Sequence, residues 1–184
     1  MSRNNSPYLR IVTITGNPRP ASRTHAAVET VAARLADLLP ATLFTDVDLS
    51  QWQGGPLTAL PDHVAQAHEA VLQADVIVVG TPVYKGAYTG LLKGFLDVLP
   101  SGTLRHTVAI PVTISAAPAH RLLAEQALRP VLAELGASLP VPGLPLEEGQ
   151  LEQLEEWVRD WTGRYAELVA TVARSFTQVS VGAR

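Results

Sequence analysis

The sequence has 184 residues, a formal net charge of −3 and no cysteine, which excludes disulfides, thiolate catalysis and cysteine-based zinc sites. Hydrophobic residues make up 47% and charged residues 17%, the balance of an ordinary globular chain, read as one domain over residues 1–184. No concentrated basic face points to nucleic acid, and the apolar stretch "TVAIPVTISAAPA" (107–119) is too short to span a bilayer.

In chain order, "MSRNNSPYLR" lacks the apolar core of a signal peptide, and with the missing cysteines it leads to the expectation of a cytoplasmic protein. "LRIVTIT" (9–15) is a near-continuous apolar and β-branched run, as in a parallel strand covered on both faces. Val28, Val31, Ala32, Leu35 and Leu39 recur at helical spacing. "ATLFTDVDL" (41–49) predicts a second strand nearer an edge, followed by a loop, "SQWQGGPLTALP" (50–61), rich in turn residues. Val64, Ala67, Val71 and Leu72 mark a second helix, and "DVIVVGT" (75–81) a third strand.

Leu91, Leu92, Phe95, Leu96 and Leu99 give a third helix. "TVAIPVTI" (107–114) reads as a strand whose Pro111 cannot donate to a ladder, so a bulge or unpaired position is expected there. Residues 119–136 predict a fourth helix, kinked or broken near Pro130. A short fifth strand is expected around Leu139–Pro142. Leu151, Leu154, Val158, Trp161, Tyr165, Leu168 and Val172 form the stripe of a last helix, with a loose tail over 175–184. Strands alternating with helices imply right-handed crossovers and a doubly wound parallel α/β sheet with helices on both faces.

Ligands of such sheets bind beyond the carboxyl ends of the strands, where the winding direction switches. Two loops leave the strongest strands at that end. "GNPRPASRT" (16–24) is neither a dinucleotide fingerprint nor a P-loop. It supplies Asn17, Ser22 and Thr24 as neutral donors and Arg19 and Arg23 as cations, and it opens onto a helix N-terminus, a favourable place for a phosphate. The same residues also read as an ordinary cap, Ser22 or Thr24, with two solvated arginines.

"TPVYKGAYTG" (81–90) offers the rings of Tyr84 and Tyr88, backbone held open by Gly86 and Gly90, and a rigid Pro82, a surface for a flat heteroaromatic ring. Its tyrosines read equally as packing residues at a strand-to-helix corner. Phosphate at the first strand and a planar ring at the third is the arrangement of flavin mononucleotide (FMN) on a flavodoxin-like sheet of strand order 2-1-3-4-5.

The chain also resembles the NADPH-dependent FMN reductase family. "GNPRPASRT" is similar to that family's phosphate loop, and "TPVYKGAYTGLLKGFLD" to its Pro-x-Tyr … Gly-x-Leu-Lys … Asp segment. The likeness is greatest to the subgroup that supplies reduced flavin to two-component monooxygenases of organosulfur use. The resemblance implies FMN and NADPH (NADH being possible), a phosphate held by Arg19, Ser22 and Thr24 with Asn17 in place of the usual Ser, and an isoalloxazine against Pro82, Val83, Tyr84 and Lys85. Gly86 and Tyr88 complete that rim, and Thr113 or Ser115 donates where a Thr-Gly-Gly is usual. Gln126 stands where certain members carry a Tyr associated with a local bulge, subunit stacking and loosely held flavin, so the departure implies flavin retained as a prosthetic group. The resemblance further implies a homodimer or homotetramer, apolar surface at Trp52 near the flavin edge, and a flavin-dependent monooxygenase as partner.

Flavin carries the hydride chemistry itself, which accounts for the lack of an acid–base pair in the sequence; no catalytic side chain and no metal ligand is assigned. His25, His63, His68, His106 and His120 are scattered, with His63 and His68 read as solvated helix positions and His120 as the one near the proposed site. Lys93 and Asp97 read as anchors of the third helix. A quinone or azo reductase on the same scaffold, a flavodoxin-like electron carrier, and an unrelated phosphate binder are the competing readings.

Overall fold

The computed structural model describes residues 8–52 and 62–182. Residues 53–61 of the expected loop, the N-terminal start and the side chain of His63 lie outside what it describes. Five parallel strands, β1 (Leu9–Thr15), β2 (Ala41–Asp48), β3 (Val76–Pro82), β4 (Val108–Ser115) and β5 (Leu144–Glu147), form one sheet in the order β2-β1-β3-β4-β5, as the sequence led us to expect. Both faces are covered, which is why the central strands are buried on both sides and largely apolar rather than alternating. Leu9, Ile11, Val76, Val78, Ile110 and Val112 pack under α1 (Arg23–Leu38) and α5 (Leu154–Gly182). Val12, Ile14, Ile77 and Val79 pack under α2 (Asp62–Gln73), α3 (Gly90–Asp97) and α4 (Arg129–Glu134).

The edges depart from expectation for identifiable reasons. The fifth strand is Leu144–Glu147, not 139–142. Over 139–141 the carbonyls of Leu139 and Val141 are taken by the Arg129 guanidinium, so that segment has a side-chain partner in place of a ladder. β5 pairs with β4 alone and tolerates Pro145 because it is an edge. Pro111 causes no bulge: the β3–β4 register runs unbroken through Val79↔Pro111. The N–H of Ala109 points away from β3, to the Ser138 carbonyl. Two residues on, Pro111 therefore lacks its donor on the side where β5 pairing has not begun, since β5 first pairs at Val112. The one register shift in these ladders lies between Ile11 and Val12, where β1 meets β2.

The helical segment expected over 119–136 is broken next to Pro130, and what precedes the break is not α-helix. A 3-10 turn (Pro118–His120) leads to a π-helix (Ala124–Leu128), and α4 begins afresh at Arg129. Pro130 sits in the first turn of α4, where its missing N–H costs nothing. The last helix does not end at Arg174: it runs to Gly182, and Phe176 packs against the core and against His106, with ring centroids 5.9 Å apart. On that helix Leu168 is exposed, and Ala166, Val169, Ala170 and Ala173 carry the buried stripe instead. Leu72 of α2 is likewise exposed, with Ala70 and Val71 buried.

Two readings on the α2 face change. Trp52 is buried in the core beside α2 and α3 rather than forming exposed apolar surface near the flavin edge. His68 is not a solvated position: its ring lies 4.8 Å from that of Phe95, and burial lowers its pKa below the ordinary 6.5, partly offset by the Phe95 backbone. The unfolded chain therefore takes up a proton near 6.5 that the folded chain resists, so this contribution to stability is intact above 6.5 and is lost as pH falls through the lowered folded value. Urea unfolding between about pH 5 and pH 8 is expected to show a smaller acid-side loss in His68→Leu than in the wild type. Parallel curves for the two proteins would mean that His68 is not a source of the pH dependence.

Candidate functional site

Thr15 ends β1 and the chain turns at Gly16 into the first loop. Here a Cβ on Gly16 would lie 2.6 Å from Leu92 Cβ, so only glycine lets this loop approach α3 so closely. Asn17 is buried and shapes the loop from within. Its side-chain oxygen accepts the Arg19 N–H at 3.0 Å and its amide donates to Thr24 Oγ1 at 3.1 Å. Ala21 takes a left-handed conformation (φ 49°), and Ser22 then caps α1, its Oγ accepting the His25 N–H at 3.2 Å. The cap alternative for Ser22 thus holds, and it is compatible with an anion: Ser22 and Thr24 each retain a hydroxyl proton to donate, and the first N–H groups of α1 lie outside its ladder.

The second loop leaves β3 at Pro82. Tyr84 and Ala87 exchange main-chain hydrogen bonds of 2.9 and 3.1 Å around Lys85 (φ 53°) and Gly86 (φ 77°). Positive φ at both central positions is a type I′ turn. Lys85 bears the cost of the left-handed region, about 1 kcal/mol. The turn holds Tyr84 out, 44% exposed.

The two loops are tied together by Thr89, a residue the sequence reading did not single out. Its hydroxyl donates to the Gly16 carbonyl at 2.5 Å and accepts the Leu92 N–H at 3.1 Å as the cap of α3. Its own N–H reaches Thr81 Oγ1 at 3.1 Å. Gly16 N–H in turn donates to the Gly80 carbonyl at 2.7 Å. A capping threonine was legible at 89 from its place before a helix; its second bond, 73 residues back along the chain, was not.

Between the loops lies a cleft of about 500 Å³, lined by Asn17, Arg19, Pro20, Ala21, Ser22, Arg23, Thr24, Pro82, Val83, Tyr84, Ile114, Ala116 and Glu148. Eight of the residues singled out in the sequence meet there: Asn17, Arg19, Ser22, Arg23, Thr24, Pro82, Val83 and Tyr84. The other five do not line it. Lys85 and Gly86 form the exposed tip of the turn, and Tyr88 packs against the α3-side core, so of the two tyrosines only Tyr84 faces outward. Thr113 and Ser115 are buried, with Ser115 Oγ donating to the Ala117 carbonyl at 3.2 Å. Strand alternation sets both opposite to Ile114, and it is Ile114 with Ala116 that reaches the wall. His120 does not line this cleft either.

Charge in the site is unevenly matched. The Arg23 guanidinium lies 2.9 Å from Glu148 across the cleft, whereas Arg19 is exposed and has no ion pair among the described residues. Behind the loop, His25 Nε2 is 3.0 Å from Asp46 and 3.4 Å from Glu29, with Nδ1 3.6 Å from Asp48. Those carboxylates flank the start of α1 from β2 and from the helix itself. On α3, Lys93 and Asp97 form an ion pair at 2.5 Å, and that contact raises the Lys93 pKa. They stabilise the helix surface, as expected for the anchoring role.

The sheet order and the cleft at the switch point define a flavodoxin-like α/β protein, with donors suited to an anion beside an exposed aromatic. Residues 9–151 match the sequence profile of the NADPH-dependent FMN reductases, and the chain belongs to that family. It is 32% identical to "FMN reductase (NADPH)" of Escherichia coli K12 over 153 residues, 78% of this chain and 75% of that one. To "NADH-dependent FMN reductase SfnF" of Pseudomonas putida it is 34% identical over 137 residues, 70% and 72% of the two chains. Its fold superposes on the crystal structure of the apo form of an NADH:FMN oxidoreductase (EMOB) with a TM-score of 0.72 and 27% identity, over 93% of this chain and 89% of that one.

The π-helix at Ala124–Leu128 is present with Gln126 in its middle, so a bulge on this helix does not require the Tyr.

Proposed function

We propose that this protein is an NAD(P)H-dependent FMN reductase whose flavin lies in the cleft between the loops at residues 16–24 and 82–84. The observation that supports the reading is the tie between those loops: the Thr89 hydroxyl donates to the Gly16 carbonyl and so keeps the donor-rich first loop beside the loop that carries Tyr84. Arg19, Ser22, Thr24 and the first N–H groups of α1 hold the phosphate, as Ser/Thr hydroxyls and helix N-termini do elsewhere. Pro82, Val83 and Tyr84 bear the ring system, largely through the main chain that the I′ turn exposes. Lys85 and Gly86 edge the opening, and Asn17 acts by shaping the loop.

FMN held by these residues would supply the hydride-accepting and electron-donating chemistry when bound. The chain contributes binding and orientation, which is where most of the rate of such a reaction arises. Relatives named for NADPH and for NADH support either nucleotide as donor. The electrons go on to a second acceptor, reduced flavin passed to a flavin-dependent monooxygenase being the route the sequence resemblance implies. We place the protein in the cytoplasm as a homodimer or homotetramer, a state that light scattering tests. No helix among the described residues is long and apolar enough to cross a membrane.

Titration with FMN is expected to quench flavin fluorescence at one site per chain, and the loaded protein to oxidise NADPH or NADH with free FMN as acceptor. Protein that takes up no FMN would end this reading. Protein that takes up FMN yet reduces only quinones would move it to the quinone reductases of the same fold.

A further inference from the structure

Of the charged side chains on the cleft wall, Arg19 and Arg23 are cations and Glu148 is a carboxylate. Glu148 opens the 3-10 turn that follows β5, 125 residues beyond Arg23, and its Oε1 accepts from Arg23 Nη2 at 2.9 Å. Its neighbour Glu147 is occupied elsewhere: it caps that same turn, and it lies 3.8 Å from Arg121. Glu148 takes no part in that capping box, and both members of the Arg23–Glu148 pair keep about half or more of their side-chain exposure, 63% and 48%. A partly exposed pair contributes little to folding. What it does is occupy the guanidinium that the first loop would otherwise present, and place a negative charge next to it on the cleft lining.

A phosphate monoester carries between one and two negative charges at neutral pH. When it approaches Arg23 it must displace Glu148 from the guanidinium or share it, and in either arrangement a second anion remains nearby. We infer that Glu148 is a specificity-determining gate: it competes with the 5′-phosphate of FMN for Arg23 and so keeps the flavin exchangeable, a substrate that leaves after reduction rather than a retained group. This inference rests on the reading that flavin phosphate enters this cleft. It concerns only the charge of the phosphate, so riboflavin, which has the same ring and no phosphate, is the internal control.

The test compares wild type with Glu148→Gln, measuring dissociation constants and dissociation rates for FMN and for riboflavin at low and high salt. The variant is expected to bind FMN about tenfold more tightly, the size of one lost like-charge contact at a half-exposed site, mainly through slower release. Riboflavin affinity stays within about twofold, and the gain on FMN shrinks as added salt shortens the Debye length. Weaker FMN binding in the variant would mean that Glu148 holds Arg23 in place for the phosphate, and the gate is wrong. Unchanged FMN binding, or an equal gain for riboflavin, also overturns it while leaving the flavin reading intact. Failure of the wild type to bind either flavin removes both.

Discussion

Replacing Thr89 by valine is expected to destabilise the protein by about 2–4 kcal/mol and to weaken flavin binding at least tenfold. Valine has threonine's shape, so packing is preserved and only the hydroxyl is lost. That hydroxyl is fully engaged, donating to Gly16 O at 2.5 Å and accepting from Leu92 N at 3.1 Å in a buried setting. Both partners would be left buried without a bond, at about 1–3 kcal/mol each, partly relieved by relaxation. For a chain of this length the loss corresponds to a fall in Tm of about 5–15 °C. The effect on binding has a separate cause: the Gly16 carbonyl is where the first loop is fastened to the second. Thr89→Ser, which keeps the hydroxyl, should restore most of both quantities. If Thr89→Val loses stability but binds FMN as well as the wild type, the spacing of the two walls is set elsewhere.

How much of this was readable beforehand depended on how local the determining contacts are. The central strands were legible because a sheet covered on both faces calls for near-continuous apolar and β-branched runs, and Ile11–Ile14 and Val76–Val79 supply apolar side chains to both sides. The donors of the first loop that meet at the cleft could be named because they lie within nine residues of sequence. β5 was misplaced by a few residues: four residues with a proline carry too little pattern, and the competing segment at 139–141 was claimed by Arg129 from another element. The π-helix was invisible as such, since one extra residue in a turn hardly alters a helical periodicity over so short a span.

The site shows the same division. Arg19, Ser22, Thr24 and Tyr84 could be named from their loops, whereas Ile114, Ala116 and Glu148 reach the cleft from strands and turns whose placement only the fold decides. Thr113 and Ser115 were the right segment and the wrong parity: a shift of one residue along a strand moves a side chain to the other face. Trp52, which composition makes conspicuous, is core.

The largest effect on recognition is expected from the two arginines. In Arg19→Ala/Arg23→Ala the affinity for FMN should fall about 100-fold, while that for riboflavin changes by no more than about threefold. Each charge-assisted bond to phosphate is worth about 1.5–3 kcal/mol, and a tenfold change in affinity corresponds to about 1.4 kcal/mol, so two partly exposed contacts account for a loss of this size. Arg19 stands exposed on the wall, ready to meet an anion, and Arg23 must first release Glu148. Both single variants should lose FMN affinity: Arg19→Ala removes a cation already free to meet the phosphate, and Arg23→Ala removes one and leaves the Glu148 carboxylate unpaired on the same cleft lining. Wild-type FMN binding should weaken with ionic strength and riboflavin binding should not, because only the former includes exposed charge contacts. Equal losses for FMN and riboflavin in the double variant would show that the arginines hold the loop together instead of holding a phosphate.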